Sequence, residues 1–106
     1  SVYFAYDNFA IDSKYEPLVQ AHGQFLQTHP QMQIRIEGHA DMRGNAADNE
    51  DLAARRAQSV ANRLRSLGVS GQRMDVRSYG SRRPVRSGQS AADHARNRRV
   101  ELVPNN

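Results

Sequence analysis

Cysteine is absent from the chain. That excludes a disulfide framework, a Cys-ligated metal and a thiol nucleophile, and it fits any compartment. Lysine is nearly absent too: Lys14 is the one lysine among fifteen basic residues. Long apolar runs are also missing. The longest, such as Val2–Tyr6, are four to five residues, far short of a bilayer span or a secretory signal. A soluble domain is expected, with any membrane anchor outside this sequence. No internal repeat, linker or second domain breaks the chain, so residues 1–106 are expected to form one domain.

The 106 residues that are present have a globular balance, 38% hydrophobic and 25% charged, enough for one core. Charge is unevenly distributed. Residues 1–53 hold three basic against eight acidic residues, a net −5. Residues 54–106 hold twelve Arg against three acidic residues, a net +9. Arginine favours two-pronged pairing with carboxylate or phosphate. A basic half of this kind attracts anionic polymers without sequence preference.

Hydrophobic periodicity predicts the elements. Val2–Tyr6 reads as a strand ended by Asp7 and Asn8. Ser13-Lys14-Tyr15-Glu16 has capping-box spacing and opens a helix, with Pro17 near its start. Leu18, His22, Phe25 and Leu26 share a face of that helix, and Pro30 stops it. Met32–Glu37 alternates as a half-buried strand. Residues 38–48 form a Gly-, Asn- and Asp-rich loop. A second helix runs from about Asn49 to Leu67, with the stripe Ala53, Ala57, Val60, Ala61, Leu64 and Leu67, and Gly68 as its stop. Arg73–Ser78 is a third strand with Met74 and Val76 inward. Residues 80–90 read as a mobile surface loop, Ala91–Arg96 as a short helical turn and Arg99–Val103 as the last strand. This order predicts an α+β fold: a mixed four-stranded sheet with two main helices on one face.

Three chemistries compete for this scaffold. His22, His29, His39 and His94 match no zinc spacing, and no metal or other cofactor is expected. His39 and Asp41, with Ser59 or Ser78, contain the residue types of a triad, but nothing fixes the geometry that one needs, so an enzyme is not expected. A basic nucleic-acid-binding module is the alternative reading, resting on Arg55, Arg56, Arg63, Arg65, Arg82, Arg83, Arg86, Arg98 and Arg99. It lacks placed aromatic rings for base stacking, because most of the aromatics fall in predicted core positions. The segment Glu37–Ala57 is the strongest candidate. Asp41 leaves a strand end, and Arg56 lies about 70° from the centre of the helix stripe, at its semi-buried border. Spacing alone allows a structural salt bridge or a carboxylate and guanidinium facing one cleft.

Gly38-His39-Ala40-Asp41, Gly44, Asn49, Leu52 and Arg55-Arg56-Ala57 resemble the signature of the OmpA-like domain family. The resemblance is closest to its peptidoglycan-associated lipoprotein branch. Val2–Asp7 looks like the family's opening strand, Ser78-Tyr79-Gly80 with Pro84 like its third strand and exit, and Asn97-Arg98-Arg99-Val100 like its closing strand. The resemblance covers the whole chain. It implies a β-α-β-α-β sandwich and non-covalent binding of the peptidoglycan stem peptide through meso-diaminopimelate. Asp41 would accept the ligand's distal ammonium and Arg56 would clamp its carboxylate. Tyr6, Asp7 and Asn8 would line the pocket, Leu52 would pack on the methylene chain, and Asn49 would hold the loop or the peptide. Ala40 stands where the family usually has threonine, and Asn8-Phe9 replaces a more polar rim. The resemblance also implies a periplasmic, outer-membrane-associated setting, with the Tol system's periplasmic propeller protein as a further partner.

Overall fold

The computed structural model describes residues 1–105, and its sheet is built around one long antiparallel pair. β2 (Gln33–Gly38) aligns with β4 (Arg99–Asn105) from Gln33↔Asn105 to Gly38↔Val100. β3 (Met74–Ser78) adds parallel to β2, and β1 (Val2–Tyr3) adds antiparallel to β4, giving the order β1-β4-β2-β3. Alternation sorts the two faces. Ile34, Ile36 and Val100 point into a core shared with Val19 and Leu26 of α1 (Glu16–Thr28). Ala57, Val60, Ala61 and Leu64 of α2 (Ala46–Ser66) complete it. Both main helices therefore lie on one face, as the sequence pattern implies. The other face displays Arg35, Glu37, Arg99 and Glu101.

Several boundaries differ from the sequence expectation. β1 stops at Tyr3. Phe4 still donates its N–H to Arg98 O at 2.9 Å, but the chain then turns, with Asn8 N–H on Ala5 O and Asp7 at φ 53°. Aspartate is among the few residues that enter this left-handed region readily. Ser13 does not cap a helix. Asp12 accepts from Lys14 N–H and starts a 3₁₀ turn, Ser13–Tyr15, so α1 begins at Glu16. Pro17 falls in its first turn, where no intrahelical donor is lost. The buried face of α1 is centred on Val19, Gly23 and Leu26, while Phe25 is 41% exposed and stacks on His29.

α2 starts three residues earlier than expected because Asn45, not Asn49, is the N-cap, accepting from Asp48 N–H at 2.8 Å. Such a cap contributes about 1 kcal/mol. The predicted stripe of α2 is buried from Ala53 to Leu64. Its alanines allow close approach to the sheet: a Cβ on Gly38 would sit 2.0 Å from Ala53 O. Gly68 ends the helix at φ +96°. Met74 packs on the core, but Val76 is 38% exposed because β3 is an edge strand. β4 continues through Pro104 to Asn105. Proline is tolerated there because β1 pairs only as far as Val2↔Val100 and asks for no N–H beyond it. The 80–90 loop is anchored rather than loose. The buried Asn97 side chain, at the end of α3 (Ala91–Asn97), accepts from Val85 and Arg86 N–H and donates to Arg86 O.

Candidate ligand-binding site

Where β2 ends, the chain crosses the tip of α2 and meets the turn that follows β1. Asp41 emerges from β2 through Gly38, His39 and Ala40, each buried. Ala40 N–H is held by Gly80 O at 2.8 Å. The Asp41 carboxylate is 5% exposed and is gripped by Arg43, with Nη2 on Oδ2 at 2.7 Å, Nε on Oδ1 at 3.2 Å and the backbone N–H on Oδ1 at 3.0 Å. Arg98 Nη1 lies 3.4 Å from Oδ2. Burial disfavours the charge on Asp41, but these bonds and the Arg43 charge outweigh it and hold its pKa below the ordinary carboxylate value.

Arg56 lies deeper than the stripe geometry implies. It is not at a semi-buried border but at 0% exposure. Three of its donors hold backbone carbonyls: Nε on Asn8 O at 2.8 Å, Nη1 on His39 O at 3.1 Å and Nη2 on Ala5 O at 3.1 Å. The turn after β1 thus closes over α2 and is fixed to it by one guanidinium. Burial lowers the Arg56 pKa to about 10, Arg98 adding to the effect and Asp41 and Asp7 opposing it. The group stays cationic at neutral pH. Among the described residues no ion pair joins Asp41 to Arg56; Asp41 pairs with Arg43 and Arg98 instead.

Both groups line one small cavity of about 140 Å³, together with Tyr6, Asp7, Ala40, Arg43, Gly44, Asp48, Asn49 and Leu52. Six of the seven residues anticipated from the sequence therefore converge. The seventh, Asn8, contributes its carbonyl to Arg56 but turns its side chain to Ala10 N–H at 2.8 Å, and it lines a neighbouring cleft of about 690 Å³ instead. The Asn49 side chain donates to Arg43 O at 2.9 Å, so it holds the loop. Tyr6, 63% exposed, forms the outer wall under the Arg43 guanidinium, 4.4 Å from its ring centroid.

Arg43 and Arg98 are the residues that spacing missed. Arg43 lies within the quoted motif, two residues beyond Asp41. Arg98 is 57 residues away in sequence, and its position could follow only from pairing β1 with β4. Chemically the cavity is lined by a buried carboxylate and a buried guanidinium, three of whose five N–H groups are held by backbone carbonyls. Leu52 adds an apolar side chain to the lining. Such a site suits a small zwitterionic group on an aliphatic stem.

Known proteins share this sequence pattern and fold. The chain is 48% identical over 100 residues to the peptidoglycan-associated lipoprotein of Legionella pneumophila, covering 94% of this chain and 57% of that protein. It therefore spans little more than half the length of that relative. It is 39% identical to the crystal structure of the peptidoglycan-associated lipoprotein from Burkholderia pseudomallei, with a TM-score of 0.96 over 98% of this chain and 88% of that one. The C-terminal domain of Helicobacter pylori MotB shares the fold, with a TM-score of 0.89 at 24% identity over 99% of this chain and 82% of that one. The OmpA family model matches residues 3–98, and the chain belongs to the OmpA family.

Proposed function

We propose that this domain binds the peptidoglycan stem peptide non-covalently, through the distal amino-acid end of meso-diaminopimelate. The observation that carries the reading is that Asp41 and Arg56 face one cavity without pairing with each other. The ligand's distal ammonium takes a place on Asp41 as the exposed Arg43 side chain gives up a bond. The carboxylate on the same carbon meets the two Arg56 N–H groups that the backbone leaves free. The methylene chain lies on Leu52. Relatives named peptidoglycan-associated lipoproteins support this reading. It assigns a binding role and requires no nucleophile. In a protein anchored at the outer membrane, such binding would tether that membrane to the wall from the periplasmic side, and a Tol-system propeller protein would be a partner of the whole protein.

The test is calorimetry with matched stem peptides that differ only in diaminopimelate or lysine. Lysine keeps the ammonium but lacks the carboxylate, and leaves the free donors of Arg56 buried without a partner. A hydrogen bond to a charged group contributes about 1.5–3 kcal/mol. The diaminopimelate peptide is expected to bind about 10- to 100-fold more tightly. Equal affinities would show that Arg56 does not read the carboxylate, and would end this mechanism.

A further inference from the structure

The face of the sheet away from the two main helices holds a polar cluster that the cleft does not use, partly covered by Tyr79 and Arg83. Glu37 and His39 lie two residues apart along β2 and its exit, and Glu101 of β4 is the cross-strand partner of Glu37. Two carboxylates directly opposite one another repel. Arg35 holds Glu37 Oε2 at 2.6 Å and Arg99 lies 3.3 Å from Glu101 Oε1, so each carboxylate has a guanidinium beside it. One donor atom each from Glu37, His39 and Glu101 falls within 4.8 Å of the other two. His39 is 2% exposed, and neither of its ring nitrogens has a hydrogen-bond partner. Its Nε2 stands 3.8 Å from Glu101 Oε2, the oxygen that Arg99 leaves free. That gap is too wide for a hydrogen bond. It approaches the separation of about 3.3 Å between two ligands of one tetrahedral zinc ion.

We propose that Glu37, His39 and Glu101 form a binding site for a divalent metal of the zinc class, with the fourth position open to water. One imidazole and two carboxylates are donors that zinc accepts. Neither ring nitrogen of the buried His39 is committed to a hydrogen bond, so one of them can turn to a metal without breaking another contact. Arg35 and Arg99 stay outside the donor set and orient the carboxylates, as partners behind metal ligands commonly do. They also cancel the carboxylate charge, so the affinity belongs in the micromolar range, on the order of 10⁻⁶ M, rather than that of a closed structural site. The proposal is independent of the peptidoglycan reading.

Zinc is titrated into the chelator-stripped domain, with affinity read by calorimetry and the histidine ring nitrogens followed by nuclear magnetic resonance. One equivalent is expected to bind, shifting the ring nitrogens of His39 and raising Tm. Glu101→Gln, at a side chain 36% exposed, should weaken binding at least tenfold, and His29→Ala, which removes an exposed imidazole outside the cluster, should not. Should Glu101→Gln fold poorly, the ring shifts of the unaltered chain decide. Zinc that shifts His22 or His29 in place of His39, or a folded Glu101→Gln that binds as the unaltered chain does, overturns the proposal.

Discussion

On the proposed reading Arg56 serves two ends, structural and ligand-binding, that a single substitution cannot separate. Its three bonds to Asn8, His39 and Ala5 carbonyls fix the turn that forms one wall of the cavity. Arg56→Ala would strand three acceptors, each costing about 1–3 kcal/mol if left unpaired. The variant is expected to lose roughly 3 kcal/mol or more, and its failure to bind would say little about ligand contact. Asp41→Asn is the cleaner probe, because it keeps the shape and can keep the two bonds on Oδ1, while it removes the charge and the acceptor for Arg43 Nη2 and Arg98 Nη1. We expect a stability loss of about 1–3 kcal/mol, since Asp41 is buried and one of its acceptors is lost, and at least a tenfold loss of affinity for the diaminopimelate peptide. Chemical denaturation beside calorimetry distinguishes the two, and unchanged binding by Asp41→Asn would remove Asp41 from the ammonium site. The depth of Arg56 was not legible in the sequence. Helical spacing places it relative to the sheet, but what covers it is a turn 48 to 51 residues away. Asp41 was legible because a short motif carries it.

Elements meet the site through one close approach. Gly38 ends β2 beneath α2, where an added Cβ would lie 2.0 Å from Ala53 O and 3.1 Å from the Ala57 Cβ. Because the nearest atom is backbone, no rotamer change relieves the clash. Gly38→Ala must lift α2 off the sheet, and with it Arg56, relative to Asp41. Overpacking typically costs about 1–3 kcal/mol; a backbone clash this close belongs at the upper end of that range. Diaminopimelate affinity should fall in the same variant, although neither site residue is altered. A Gly38→Ala domain with unchanged melting and binding would mean that helix and sheet are not in the contact described. Periodicity showed α2 and its stripe, since one face meets one core. It did not show the short β1, which depends on Asp7 entering a left-handed turn. Nor did it show the true face of α1, where Gly23 is buried beside Leu67.

At the scale of the whole molecule, the two oppositely charged halves of the sequence do not remain apart. Arg63 pairs with Glu16, Arg82 with Glu50 and Arg98 with Asp41, each joining the second half to the first. Arg56 and Arg99 are buried, and Arg73 is committed to the Leu26, His29 and Met32 carbonyls. The net +9 of residues 54–106 is therefore a property of composition more than of any one surface. Among the described residues, Arg65, Arg83, Arg86 and Arg96 stay exposed without an ion pair, in α2, the 80–90 loop and α3. A protein making six to ten phosphate contacts loses about 10³- to 10⁵-fold in affinity between 50 and 200 mM salt, because counterions are released. A cavity that reads one ammonium and one carboxylate releases few ions and lies largely out of reach of screening. Cosedimentation with purified sacculi should accordingly change less than about tenfold over that range. Binding to a mixed-sequence oligonucleotide should be weak at 50 mM salt and lost by 200 mM. The sacculi should also be stripped of associated protein first, so that the wall itself is the only ligand offered. If sacculi binding instead collapses with salt while the oligonucleotide is held tightly at the low end, attachment runs through surface arginines. The cavity between Asp41 and Arg56 would then have no part in it.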